Sequence, residues 1–166
     1  MRRYHGKKDK IVLYMHAGSG NHGCEAIVNT VIRMLPKPAI VITNSLAEDE
    51  TYSLKGMVML IEERKVRKNL FIHAWYYLRE HVLQDPEAAM RYRFREVCGR
   101  NLRQMNISIG GDNYCYPELL KELKAANLLF TRQGAMTVLL GCSVEPELLA
   151  EPDIIEEMKR YACNLT

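Results

Sequence analysis

Short apolar runs alternate with amphipathic stretches along most of the chain. Five runs rich in Ile, Val, Leu and Met are five to seven residues long, a length typical of strands buried on both faces of a sheet. Between them, apolar residues recur at helical spacing, and Pro36 ends the first such segment because proline cannot continue a helix. The predicted strands are 10–16, 39–43, 57–61, 105–109 and 136–140, and the predicted helices are 25–35, 45–54, 65–83, 86–103, 117–127 and 152–161.

This alternation of strands and helices predicts the α/β class, as a three-layer αβα Rossmann-like domain with a mainly parallel sheet. We expect residues 1–166 to form one domain, with 1–9 as a flexible basic N-terminus. Parallel crossovers are right-handed, so the loops that follow the strands gather at one edge of the sheet, where ligands bind. Three polar, glycine-rich loops fall at that edge: the first loop (17–24), the second (110–116) and the third (141–146).

Composition and charge exclude several classes of protein. Of the 166 residues, 48% are hydrophobic and the net charge is only +3, which argues against intrinsic disorder. No apolar stretch reaches the ~18 residues of a membrane helix or fits a signal peptide, so we expect a cytoplasmic protein. The cysteines form no Cys-x-x-Cys pair, so neither a zinc site nor a redox pair is predicted; they are Cys24, Cys98, Cys115, Cys142 and Cys163. We expect no bound metal and no cofactor.

The first loop contains the pattern Gly-x-Gly-x-x-Gly at 18–23, between a strand and a helix. Glycines let a ligand approach the backbone, and a helix N-terminus offers free N–H groups to an anion, so the pattern favours a nucleotide or phosphate site. A dinucleotide site also needs an acidic residue about 20 residues further on, whereas the second predicted strand ends in Thr43 and Asn44. The alternative is that the glycines form only a tight turn and that His22 is structural or simply exposed.

The second loop contains two adjacent glycines followed by Asp112, Asn113 and Tyr114. Paired glycines after a buried strand indicate that the backbone needs a particular shape there. Asp112 can act as a general base toward a sugar hydroxyl, while Asn113 and Tyr114 can bind hydroxyls or stack on a sugar face. The alternative role for Asp112 is to cap the turn that follows.

The third loop carries fewer chemical signals. Ser143 can bind a substrate or cap a helix, and Glu145 precedes a proline, which favours an extended backbone. Cys142 follows a buried strand and is predicted to be a small packing residue, because no histidine partner for a nucleophile is evident.

The segment 64–103 is basic, with ten Lys or Arg residues and four acidic ones, whereas the remainder of the chain has a net charge of −3. Cations alternate with aromatic residues at 91–95. This pattern suits an anionic glycan, a phospholipid headgroup or nucleic acid, but a solvated helix face with its aromatics turned to the core explains it as well. The whole chain is not basic enough to predict a nucleic-acid partner. Peripheral membrane contact through 64–103 stays a hypothesis, as does a location at the inner face of the membrane.

Three sequence motifs follow the first, fourth and fifth predicted strands. They are Ser-Gly-Asn-His-Gly-Cys-Glu-Ala-Ile at 19–27, Ser-Ile-Gly-Gly-Asp-Asn-Tyr at 108–114, and Leu-Gly-Cys-Ser-Val-Glu-Pro-Glu at 140–147. In this order and spacing they resemble the N-terminal half of the polysaccharide pyruvyl transferase family. The resemblance extends from about residue 10 to residue 166.

The resemblance implies a fold like the N-terminal domain of two-domain glycosyltransferases of the GT-B type. It also implies transfer of the pyruvyl group of phosphoenolpyruvate to sugar hydroxyls, as a cyclic ketal, in surface polysaccharide biosynthesis. The implied partners are phosphoenolpyruvate as donor and a glycan or lipid-linked sugar as acceptor. By motif position, Asp112 and His22 are the candidate catalytic acid and base groups. The candidate substrate-binding residues are Gly20, Asn21, Gly23, Glu25, Gly110, Gly111, Asn113, Tyr114, Ser143 and Glu145.

Members of this family are about twice as long as the present chain, and their donor-binding basic groups are expected largely in the C-terminal half. We therefore expect the second domain to be absent from these 166 residues, and these residues alone to be inactive or nearly so, because an open cleft admits water. Two alternatives stay open. One is a nucleotide- or dinucleotide-binding Rossmann module, and the other is a non-catalytic binding module that keeps the fold.

Overall fold

Helices and strands alternate along the computed structural model, which describes residues 11–36, 38–52, 54, 56–65, 69–85, 87–97, 105–132 and 136–162. The strands are β1 (Ile11–His16), β2 (Ala39–Thr43), β3 (Met59–Glu62), β4 (Met105–Ile109) and β5 (Met136–Leu140). The helices are α1 (His22–Met34), α2 (Leu46–Thr51), α3 (Leu70–His81), α4 (Ala88–Arg93), α5 (Pro117–Arg132) and α6 (Pro152–Ala162), with a 3₁₀ turn at Pro146–Ala150.

All five strands are parallel and lie in the order β3-β2-β1-β4-β5. This arrangement confirms the predicted α/β class with a Rossmann-like three-layer fold. After β1 the chain continues to its neighbour β2, toward one edge of the sheet. After β4 it continues to β5, toward the opposite edge, so the strand order reverses between β1 and β4. In parallel α/β sheets, ligands bind in the crevice at such a reversal.

Alternate residues of each strand supply two separate apolar layers. In β1, Ile11 and Leu13 pack with Val28 and Val31 of α1, while Val12 and Tyr14 pack on the opposite face. That second layer is completed by residues of α4 and α5 such as Met90, Ala126 and Phe130. A third cluster joins α6 to the sheet through Ile154, Leu139 and Leu123.

The end of β1 is irregular in a way that repositions one side chain. Met15 has a φ of 63°, and the pairing of β1 with β2 slips between Leu13 and His16. Met15 therefore stays on the same side as Tyr14, and His16 turns to the α1 and α2 side. This irregularity, called a β-bulge, costs local strain and brings the His16 imidazole under the first loop.

Most predicted elements have the expected positions, and their ends differ for identifiable reasons. The first helix begins three residues early, because Asn21 caps it, and α3 begins only after the capping residue Asn69. Helix α5 continues past Asn127, whose side chain is buried and accepts a 2.6 Å hydrogen bond from the Tyr14 hydroxyl. The helix predicted over 86–103 is wrong after Arg93, because residues 94–97 form turns. The proposed flexible segment 1–9, the remainder of that helical prediction over 98–103 and two cysteines, Cys98 and Cys163, lie outside the described residues.

No helix in the described part of the chain combines the length and the apolar character needed to cross a bilayer.

Candidate functional site

Two carboxylates of α2 tie down the first loop. The buried Asp49 Oδ1 accepts hydrogen bonds from the Ser19 backbone N–H at 2.9 Å and from the Ser19 hydroxyl at 2.6 Å. His16 Nε2 lies 3.0 Å from the same oxygen, and Gly20 N–H donates to Glu48 Oε2 at 3.0 Å. The first loop is thus bonded inward to α2.

The buried Asp49 carboxyl is held in its ionised form. Burial raises its pKa, but hydrogen bonds from His16, Ser19 and Thr43 and the attraction of His16 outweigh that effect, so the net pKa is lowered. Asp49 is therefore a fixed negative charge that organises the surrounding hydroxyl, amide and imidazole groups.

The glycines of the first loop make room for Glu48. A Cβ atom added at Gly18 or at Gly20 would lie 2.6 Å from Glu48 Oε2, and Gly18 also has a φ of +110°. On the helix side, Asn21 Oδ1 accepts the N–H groups of Gly23 and Cys24 at 2.9 and 3.3 Å. The amides that would hold a phosphate are thus already bonded within the chain. This geometry does not favour a nucleotide site at the first loop.

The second and third loops are joined through their backbones. Ser143 N–H donates to the Gly111 carbonyl at 2.5 Å and Glu145 N–H donates to the Tyr114 carbonyl at 3.2 Å, beside a parallel bridge between Tyr114 and Val144. These joined loops continue the pairing of β4 with β5 beyond the strand ends. Asp112, Ser143 and Glu145 are exposed on them, so their polar side chains are free to meet a ligand.

The glycines of the joined loops allow α1 to pack closely. The Ile27 side chain of α1 lies against both loops, because a Cβ at Gly111 or Gly141 would come within 3.4 or 3.3 Å of it. Gly110 is buried against the half-buried Asn113 amide. The start of α1 and the joined loops therefore form one wall at the reversal between β1 and β4.

His22 is turned away from that wall. It precedes Ile27 by five residues, which places the two side chains about 140° apart around α1. Its ring packs edge-on against Tyr52 with centroids 5.8 Å apart, and its Nδ1 lies 3.1 Å from the Glu25 Oε2 atom. Of the two candidate acid and base groups, only Asp112 is therefore carried by the joined loops, and His22 does not face them.

Tyr114 is a core residue, contrary to the prediction that it binds substrate. Its side chain is fully buried, and its hydroxyl donates to Glu157 Oε1 at 3.3 Å and accepts from Asn127 Nδ2 at 3.3 Å. Burial, followed by the neighbouring Glu157 carboxylate, raises the pKa of the Tyr114 hydroxyl. The sequence prediction was wrong because residues 111–113 form a turn after β4 that returns the chain to the core, where Tyr114 packs with Leu123 and Ile154.

A cavity of about 350 Å³ that the sequence did not predict lies beyond the ends of β2 and β3, between α3, α4 and α5. This volume is in the range of small-molecule sites, about 300–1,000 Å³. Its walls combine charged, aromatic and amide groups, including Asn44, Glu63, His73, Tyr76, Arg93 and Glu122. The available signal was the run of charged residues 62–65, directly after the third predicted strand.

An ion cluster forms one wall of this cavity. Arg93 donates to Glu63 Oε2 from Nε at 3.0 Å and from Nη2 at 2.7 Å, and its Nη1 donates to Glu122 Oε2 at 2.5 Å. Burial lowers the pKa of Arg93, but the two carboxylates outweigh that effect and raise it. Aromatic rings beside fixed hydrogen-bonding groups suit a ligand that carries both hydroxyls and an apolar face.

Within the described residues, no group of three or more His, Cys, Asp or Glu side chains is placed to hold a metal ion. Comparison of the chain with models of protein families, with curated proteins and with solved structures finds no match. The resemblance to polysaccharide pyruvyl transferases therefore rests on the three sequence motifs.

Proposed function

We propose that this chain is the N-terminal domain of a polysaccharide pyruvyl transferase-like protein, which transfers pyruvyl from phosphoenolpyruvate to sugar hydroxyls. The observation that carries the proposal is the pair of joined loops. They hold an exposed Asp112 next to Ser143, beside the strand reversal between β1 and β4. Two of the three motifs that carry the family resemblance thus meet in one place.

The chemistry of ketal formation explains why such a wall is useful. Two hydroxyls of one sugar add to C2 of phosphoenolpyruvate, the methylene carbon gains a proton and phosphate leaves. Each attacking hydroxyl must therefore lose a proton, which requires a base within hydrogen-bonding reach. An exposed carboxylate such as Asp112 can accept that proton, and Ser143 can hold a neighbouring hydroxyl. His22 is a candidate for a separate proton transfer on the other side of α1.

The cavity beside α3 gives a sugar a second surface at the same sheet edge. Tyr76 offers an aromatic face, and Asn44 and His73 offer polar groups beside the ion pair of Arg93 with Glu63. Carbohydrate recognition needs this combination, because a sugar has apolar C–H faces and hydroxyl edges. The cavity supports the choice of a sugar ligand over a dinucleotide.

Ligand-induced stabilisation tests the proposal. A ligand present at 100 times its dissociation constant stabilises the folded state by about 2.7 kcal/mol, so even weak binding raises the melting temperature. We expect stabilisation by acceptor-like saccharides and none by NAD or nucleotide sugars.

Asp112→Asn should weaken that stabilisation, whereas Glu156→Gln, an exposed carboxylate on α6, should leave it unchanged. Stabilisation by NAD alone would favour the nucleotide-binding alternative. Saccharide binding that does not respond to Asp112→Asn would favour a non-catalytic binding module.

A further inference from the structure

Two carboxylates share one guanidinium in the wall of the cavity beside α3. The Arg93 side chain is 16% exposed. It bonds to the buried Glu63 carboxylate through Nε and Nη2, and to Glu122 through Nη1. We call these three residues the Arg93 cluster. Because one positive charge meets two negative ones, the cluster keeps one formal negative charge at the cavity wall.

One carboxylate oxygen of the Arg93 cluster has room for another donor. Both bonds from Arg93 to Glu63 end on Oε2, and no described residue donates a hydrogen bond to Glu63 Oε1. The Glu63 side chain is only 3% exposed and lines the cavity. A carboxylate oxygen that has lost most of its water gains free energy when a donor reaches it. A donor group on a ligand is therefore favoured at this position.

The other charged groups around the cavity leave this negative charge in place. Arg64 is paired with Glu96, and Glu80 is paired with Lys121, so these two pairs add no net charge. Lys65 also lines the cavity, but it is exposed. Water and salt screen an exposed charge much more than a buried one, so the carboxylate of the buried wall determines the charge that a ligand meets there.

Aromatic side chains complete the wall of the cavity. Tyr76 and Tyr77 line it, and the half-buried Tyr76 ring packs against Tyr92 with centroids 5.2 Å apart. The face of a tyrosine ring attracts a cation, and it also covers the apolar C–H face of a sugar. An ammonium group on a sugar ring therefore suits both the aromatic rings and the uncompensated carboxylate.

We infer that the ligand of this cavity is an amino sugar, bound through its protonated amine. The ammonium group donates hydrogen bonds to Glu63 Oε1 and to the Glu122 carboxylate, and the sugar ring lies against Tyr76. The volume of about 350 Å³ is in the range of small-molecule sites. This inference rests on the proposed function for the choice of a sugar, and it names the class of saccharide that occupies the cavity.

Four probes test the inference by titration against the melting temperature of the chain. They are glucosamine, N-acetylglucosamine, glucose and ethanolamine. Acetylation removes the charge of the amine and keeps the sugar ring, whereas ethanolamine keeps the amine and lacks the ring. We expect glucosamine to bind about tenfold or more tightly than each of the other three, because only glucosamine combines the ring with a charge-assisted hydrogen bond. High salt should weaken the binding of glucosamine.

Glu122→Gln is the variant of choice, because it removes one negative charge and keeps the size of a side chain that is 44% exposed. It should lower the affinity for glucosamine by about tenfold and leave the affinity for glucose unchanged. The matched control is Glu118→Gln, since Glu118 is an exposed carboxylate in the first turn of the same helix. This control should bind glucosamine like the unmodified protein. Circular dichroism checks that both variants are folded.

Equal affinity for glucosamine and glucose would overturn the inference, and so would an unchanged affinity for glucosamine in Glu122→Gln. Ethanolamine that binds as tightly as glucosamine would remove the sugar ring from the assignment and overturn it as well, as would the absence of stabilisation by all four probes. The proposed function fails by a different result. If glucosamine binding depends on Glu122 but does not respond to Asp112→Asn, the amino-sugar site stands and the joined loops lose their part in sugar binding.

Discussion

The first loop and the joined loops lie at the same edge of the sheet, but they use their polar groups in opposite ways. In the first loop, Asp49 and Glu48 occupy the hydroxyl and amide donors of Ser19 and Gly20. In the joined loops, the backbone groups of the two loops bond to each other, and the side chain of Asp112 faces solvent. Glycine-rich loops after strands can therefore serve either the fold or a ligand. The difference lies in which groups are already bonded.

The largest difference in the free energy of unfolding between the first loop and the joined loops is expected for substitutions of Asp49 and Asp112. Asp49→Ala removes a buried carboxylate and leaves the donors of Ser19 and His16 without their partner, which should lower the free energy of unfolding by about 3 kcal/mol or more. Asp112→Ala removes an exposed side chain and should change it by less than about 0.5 kcal/mol. Urea denaturation of both variants measures the contrast, and equal losses would contradict the assignment of these two roles.

Two carboxylates should give stability effects of opposite sign as the pH changes. The folded-state pKa of Asp49 is lowered from 3.8, so its stabilising effect is complete above about pH 4 and is lost as the pH falls through the folded pKa. The pKa of Glu157 is raised from 4.5, chiefly by burial, so its effect on stability becomes unfavourable as the pH rises above 4.5.

The free energy of unfolding, measured from pH 3 to pH 7, tests this contrast. The advantage of the unmodified protein over Asp49→Asn should shrink toward low pH. The stability of Glu157→Gln relative to the unmodified protein should increase toward neutral pH. Parallel pH profiles for the two variants would contradict these predictions.

A smaller difference in the free energy of unfolding is expected between alanine substitutions at Gly20 and at Gly111. Gly20→Ala places a Cβ 2.6 Å from Glu48 Oε2 and should cost about 1 kcal/mol through loss of the hydrogen bond between them. Gly111→Ala meets Ile27 at an ordinary 3.4 Å and should cost less. In a Glu48→Ala background the cost of Gly20→Ala should largely disappear, and a double-mutant cycle measures this coupling.

The smallest change in the free energy of unfolding is expected for a substitution of His22. Its side chain is 78% exposed, so His22→Ala should change the free energy of unfolding by less than about 0.5 kcal/mol. It should also leave saccharide-induced stabilisation unchanged, whereas Asp112→Asn should reduce it. If His22→Ala abolishes ligand binding, the imidazole acts at the joined loops after all, and α1 must rotate to bring it there.

The elements of the fold could be predicted because each depends on a local pattern. The strands 39–43, 105–109 and 136–140 have the predicted bounds, since runs of apolar residues bounded by polar ones determine strands buried on both faces. The gathering of the loops at one edge of the sheet follows from parallel strands joined by right-handed crossovers, whereas the strand order was not predicted. These features do not depend on the orientation of any single side chain.

The site was harder to predict, because it depends on contacts between distant residues. The pairing of Ser19 with Asp49 spans 30 positions, and no local pattern indicates it. The outward turn of His22 and the inward turn of Tyr114 follow from the packing of α1 and α5, which the motifs do not reveal. Helical periodicity predicts α3, but it cannot tell which side of that helix meets solvent, and the expectation that its aromatics turn to the core is wrong for Phe71 and Trp75.

The backbone bonds between Gly111 and Ser143, and between Tyr114 and Glu145, make the second and third loops a single preformed platform. A ligand held there need not order two separate loops, and it therefore loses less conformational entropy on binding. Substitutions at Val144, which pairs with Tyr114, should then alter affinity from a distance, by loosening the platform.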